Sequence, residues 1–149
     1  MSQTSLLLES ALVDRLASLL PDLTFHRGHS NDIQNELPRA IVTVAGGGGD
    51  LVKVAGIDAL EVEIQILISS GGVADLTGDP MPQLASFSDT IRGALQESEL
   101  DALTTILSTS TPGLLFIGME YEGHKEGRDA ERALHGIVLT YKAWAGLGE

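Results

Sequence analysis

Between Leu60 and Ser69 the chain changes character at every step: Leu60, Val62, Ile64, Ile66 and Ile68 alternate with Glu61, Glu63, Gln65, Leu67 and Ser69. Side chains of a β-strand point alternately to opposite faces, so the pattern predicts a strand with one buried face and one largely wet face. A lone strand cannot satisfy its backbone. The segment therefore requires neighbouring strands and an apolar layer over the Ile/Leu/Val face, which a chain of 149 residues can supply as one domain, residues 1–149.

The flanking segments provide both. Ser5 to Leu20 places Leu8, Leu12, Leu16, Leu19 and Leu20 on one stripe, with Glu9, Asp14, Arg15 and Ser18 elsewhere, which predicts an amphipathic helix capped by Thr4 or Ser5 and stopped by Pro21. Leu23 to Arg27 and Arg39 to Ala45 read as strands, the second bounded by Pro38 and by Gly46 to Gly49. Asp79 and Pro82 lead into a second helix carrying Leu84, Phe87, Ile91, Ala94 and Leu95 and ending near Gln96, and Glu99 to Leu107 keeps helical spacing for another turn or two. Leu114 to Glu122 and Arg132 to Ala145 predict two more strands, an antiparallel hairpin with a charged tip.

The resulting order, α-β-β-β-α-β-β, predicts an α+β two-layer sandwich: a mainly antiparallel sheet of about five strands with two main helices on one face. Two helices cover one side of such a sheet. The other side, with Leu67 and with Leu134, Val138 and Trp144 of the last strand, is left for solvent or for another molecule, and self-association is the simplest cover.

Charge and composition narrow the chemistry. The chain has no cysteine, which excludes disulfides, zinc–thiolate sites and thiol nucleophiles. Twenty-one Asp and Glu against nine Lys and Arg give a net charge of −12, which disfavours binding to nucleic acid or an anionic membrane. Apolar runs fall well short of the ~20 residues of a membrane span, and the start MSQTSLLLES lacks a basic signal-peptide region, so the expectation is a soluble protein without membrane partners.

No candidate catalytic motif emerges. Gly46, Gly47, Gly48 and Gly49 are followed by Asp50 and Leu51, where a phosphate-binding loop needs Lys and then Ser or Thr, so this run reads as a turn. His26 and His29 lie three apart in strand running into loop, where they point away from each other, and read as surface or loop-bracing residues. Glu61 and Glu63 share a strand face, but it is the wet one, where no pocket shifts a carboxyl toward acid–base work. Asp75 and Asp79 lack calcium-loop spacing, and no G-x-S-x-G or S-x-x-K is present. The expectation is a non-enzyme with no catalytic residue, metal or cofactor.

The order of elements and several phrases resemble the tail terminator or tail completion proteins of long-tailed bacteriophages. The phrases are SLLLESALVDRLASLL, LPRAIVTVAGG, LEVEIQILISS, SDTIRGAL and the closing ALHGIVLTYKAWA, over about residues 5–145. The resemblance implies a structural virion protein: a homohexameric ring on the head-proximal end of the tail, assembled in the host cytoplasm, that halts tube growth and joins tube to head. Its implied partners are further copies of itself, the tail tube protein and the neck or connector protein, with DNA passing through unbound. Candidate axial contacts are the loop Gly46, Gly47, Gly48, Gly49 and Asp50, the loop Ser70 to Pro82 with Asp75 and Asp79, and the tip Glu122 to Glu131 with Glu122, Lys125, Glu126, Arg128, Asp129 and Glu131. Three alternatives stay open: another neck or head–tail joining protein, a regulatory module acting as monomer or dimer, and a small-molecule-binding or enzymatic α+β domain with Glu61, Glu63 or the histidines in a cleft.

Overall fold

A computed structural model of the chain describes residues 3–29, 37–46, 57–69, 81–96, 103–107, 111–129 and 134–147. Helix α1 (Gln3–Leu19) leads into β1 (Thr24–Arg27), β2 (Arg39–Gly46) and β3 (Ile57–Ser69). Helix α2 (Met81–Ala94) follows, then β4 (Leu114–Asp129) and β5 (Leu134–Leu147). A further helical stretch spans 103–107. The five strands form one mixed sheet in the order β1-β2-β3-β5-β4, with β1 parallel to β2 and the other three pairs antiparallel. The α+β architecture and the element order are those the sequence predicts.

Leu60, Val62, Ile64, Ile66 and Ile68 of β3 are buried, as are Ala40, Val42 and Val44 of β2 and Ile137, Leu139, Tyr141, Ala143 and Ala145 of β5. All belong to one parity of their strands, and they join Leu8, Leu12 and Leu16 of α1 and Leu84, Phe87 and Ile91 of α2 in a single core. Helix α1 packs on β1 and β2, and α2 on β5 and β3. Both helices therefore lie on one face of the sheet. Leu103 and Leu107 close the same core.

Several expectations are corrected. Helix α1 starts before Thr4 and Ser5, which are buried within it, so neither is its cap. Leu19, expected on the buried stripe, is exposed at the helix end, where α1 gives way to the turn before Leu23. Glu9, expected among the exposed polar residues, is buried. Gly46 is no turn residue but the last residue of β2, paired with Leu60. Finally, Glu122, Lys125, Glu126, Arg128 and Asp129 form no tip: they continue β4, which pairs with β5 as far as Asp129↔Leu134. The glycines that suggested a turn there serve the ladder. Gly123, at φ +148°, sits at a register shift after Tyr121, and Gly127 pairs with Gly136. A Cβ at Gly136 would lie 2.9 Å from Leu67 Cδ2, which would have to shift, and 3.2 Å from the Ile66 carbonyl oxygen.

Candidate functional site: an open sheet face and a helix–strand groove

The register defines the face that the helices leave open. Across it run the rows Thr24–Arg39–Leu67–Gly136–Gly127 and His26–Ile41–Gln65–Val138–Lys125. Then follow Thr43–Glu63–Thr140–Gly123, Ala45–Glu61–Lys142–Glu120 and Ala59–Trp144–Gly118. Glu61, Glu63, Gln65 and Glu120 are exposed, whereas Ile41, Leu67, Val138 and Trp144 are half-buried among their neighbours. The sequence expectation that Leu67, Val138 and Trp144 are left without a covering layer holds for the described residues. Leu115 and Ile117 of β4 add exposed apolar surface near Trp144, at 43% and 53% exposure.

A hollow of about 500 Å³ opens on this face where β4 and β5 approach their turn. Arg39, Lys125 and Arg128 line it above Leu67 and Val138, with Glu126 and Asp129 beside them. The structure thus brings four of the expected contact residues, Lys125, Glu126, Arg128 and Asp129, around one depression. Glu122 lies exposed further along β4, while Gly47, Gly48, Gly49, Asp50, Asp75, Asp79 and Glu131 fall outside the described residues.

A larger groove of about 670 Å³ lies on the helical face, between α2 and β4, lined by Arg92, Gly93, Leu95, Met119, Tyr121 and Tyr141 with Asp89 and Glu120 on its rim. Tyr121 and Tyr141 are cross-strand partners, and their rings meet edge-on at 5.3 Å between centroids. Arg92, in the last turn of α2, places its guanidinium carbon 4.3 Å from the centre of the Tyr121 ring. The Tyr121 hydroxyl shares a 2.8 Å hydrogen bond with His124 Nδ1. Burial pushes the Tyr141 hydroxyl up to about 12, with nearby Arg92 pulling the other way and Tyr121 adding a little to the rise. Composition gave no sign of this cluster, and a hairpin turning at the predicted tip after Glu122 would have kept the two tyrosines apart; only the longer ladder to Asp129 pairs them.

The two histidines do not converge. His26 faces the open side of the sheet beside Ile41, and its Nε2 is buried with no hydrogen-bond partner among the described residues. His29 turns to the helical side, where its Nδ1–H donates to Glu9 Oε2 at 2.6 Å and its backbone N–H to Glu9 Oε1 at 3.1 Å. Glu9 Oε2 also accepts the Val44 N–H at 3.0 Å. This carboxylate ties α1, the end of β1 and the edge of β2 together, which is the loop-bracing role expected of His29. Among the described residues no group of three or more His, Asp or Glu is arranged to hold a metal ion. Glu61 and Glu63 stand exposed on the open face and line neither cavity described above.

The chain is thus an α+β protein with a one-sided helical layer, a fold that is found in a solved virus-like particle. It is similar over 99% of its length, and over 100% of the other chain, to a component of the structure described as the virion of native gene transfer agent (GTA) particle, with a TM-score of 0.60 and 13% sequence identity. That likeness shows the fold. No protein-family model and no curated protein matches the sequence.

Proposed function

We propose that this chain is a structural virion protein of a phage-like particle, and specifically a tail terminator or completion protein. In this reading it forms a hexameric ring at the head-proximal end of the tail tube, stops tube growth and joins the tube to the neck or connector. The observation that carries the reading is the shared fold with a virion component from end to end of both chains. The task needs no bond-making chemistry, only surfaces for neighbours, and the sheet face and the β1 and β4 edges that the described residues leave uncovered are such surfaces.

The charge balance suits a ring through which DNA passes unbound. Carboxylates within about one Debye length of the duplex, ~8 Å at physiological salt, keep it from adhering to the wall. Axial contacts to tube and connector fall to the segments Gly47 to Asp50 and Asp75 to Asp79, which lie outside the described residues, and to the charged half of the β4–β5 ladder. That ladder presents Lys125 and Arg128 from a paired strand, so little ordering entropy is lost when a partner binds.

The test is electron microscopy of tails assembled with and without the protein. Tubes of uncontrolled length that fail to join heads are expected in its absence, and tubes of normal length joined to heads would refute the assignment.

A further inference from the structure

The groove between α2 and β4 holds two polar groups whose bonding capacity is unused. Tyr141 is only 1% exposed, yet its hydroxyl finds no hydrogen-bond partner among the described residues and is not sealed from solvent. The sliver of surface that the residue keeps therefore lies at its hydroxyl end, in the groove. A buried hydroxyl without a partner costs free energy that an acceptor on a ligand restores. Arg92 is the second group. Its guanidinium carbon lies 4.3 Å from the centre of the Tyr121 ring, and it makes no ion pair or hydrogen bond among the described residues. The ring face orients the cation and leaves its N–H donors free. Arg92 is also near enough to Tyr141 to pull on the ionisation of its hydroxyl. The Tyr121 hydroxyl, by contrast, is already bonded to His124 Nδ1, which helps to hold the ring under Arg92.

We propose that this groove is a carboxylate-binding site, in which Arg92 and the Tyr141 hydroxyl hold the carboxylate of a ligand whose apolar part rests on Leu95 and Met119. Two donors, one of them charged, match one carboxylate, and a planar guanidinium donates to that group as a paired fork. There is room for it. The groove measures about 670 Å³, within the usual range for small-molecule sites, and a Cβ on Gly93, next to Arg92, would meet nothing within 4 Å. The rim selects against higher charge. Asp89 is exposed one turn before Arg92, Glu120 is exposed on β4, and the whole chain carries −12, so a monoanion is tolerated better than a phosphate dianion. The ligand is thus a monocarboxylate with an apolar body, either a free small acid or the C-terminal carboxylate of a peptide. Such a site is compatible with the virion reading and does not rest on it.

Phenylacetate and its uncharged isostere phenylacetamide test the site. In a 15N-labelled sample at neutral pH, phenylacetate is expected to shift the amide resonances of Arg92, Gly93, Met119 and Tyr121 saturably, with a Kd on the order of 1 mM. Phenylacetamide should bind at least about tenfold more weakly. Arg92→Gln and Tyr141→Phe should each weaken phenylacetate by about tenfold or more, the value of a hydrogen bond to a charged group, with circular dichroism checking that each variant is folded. Asp89→Asn should act in the opposite direction and tighten phenylacetate about two- to threefold, because it removes a like charge from the rim.

Acetyl-Ala-Phe with a free C-terminus, run beside its C-terminal amide, separates the two sources of the carboxylate. Tighter binding than phenylacetate by the acid form alone points to a chain end, and binding of phenylacetate alone points to a free acid. The proposal is overturned if neither acid gives a saturable shift up to ~20 mM. Equal binding of acid and amide, affinity unchanged in both Arg92→Gln and Tyr141→Phe, or shifts centred on Lys125 and Arg128 instead of the groove overturn it as well.

Discussion

Replacing Glu9 tests the least expected feature of the fold. Its carboxylate is 1% exposed and accepts three hydrogen bonds, from Val44 N–H, His29 N–H and His29 Nδ1–H. Glu9→Ala leaves the buried Val44 N–H without an acceptor, a loss of about 1–3 kcal/mol. The two bonds to His29 are partly exposed and add about 1 kcal/mol together once solvent takes their place. The expected loss is therefore about 3 kcal/mol, or a melting temperature lower by roughly 6–12 °C for a chain of this size. Glu9→Gln is the sharper probe. Whichever way its amide is turned, the NH2 group faces either the Val44 N–H or the His29 N–H, donor against donor, so it should recover less than half of the loss. Urea unfolding of the two variants, with the midpoint shifting at constant slope, measures this. A double-mutant cycle with His29→Ala isolates the Nδ1 bond, because the backbone N–H at position 29 remains, and should show coupling of about 0.5 kcal/mol. Glu9→Gln within ~0.5 kcal/mol of wild type would refute the argument.

Other expected outcomes follow from the same geometry. Leu12→Asp places an unpaired carboxylate in the centre of the core and should cost several kcal/mol, enough to abolish the cooperative melting transition. Glu61→Gln with Glu63→Gln alters two exposed residues and should change stability by no more than ~0.5 kcal/mol and leave head-to-tail joining intact; lost joining with the fold preserved would assign these carboxylates a contact. Tyr141 ionises near 12 when folded and near 10 when unfolded, so the folded state retains a proton that the unfolded chain loses between those values. Stability should fall by about 2 to 3 kcal/mol as pH rises through that window, and Tyr141→Phe should flatten the fall in a urea series taken across it.

How far the sequence discloses all this depends on the range of the interaction involved. Local periodicity carries the elements: the alternation from Leu60 to Ile68 is the burial pattern of β3, and Leu8, Leu12 and Leu16 are the buried stripe of α1. Glu9 is misplaced by the same reasoning, because a helical wheel cannot show that the end of β2 presents a free Val44 N–H beneath it. The charged half of β4 is missed for a related reason. Gly123 and Gly127 have the composition of a turn, and only their partners on β5, Thr140 and Gly136, reveal a ladder. The groove lies further still from local pattern. Leu95 and Tyr141 read as core, and the cavity they share with Met119 and Tyr121 is formed by α2 and β4 together, which only the fold brings side by side.

That arrangement separates folding from assembly. Every large side chain of the core is already shielded by α1, α2 and the 103–107 segment, so one copy has what it needs to fold. Among the described residues, the surfaces left over include the α2–β4 groove and the face with Trp144 and Leu67. Of the groove's lining, Leu95, Met119 and Tyr141 also belong to the core. Under the ring proposal, weak edge contacts would gain from multivalency only where a surface holds several copies side by side.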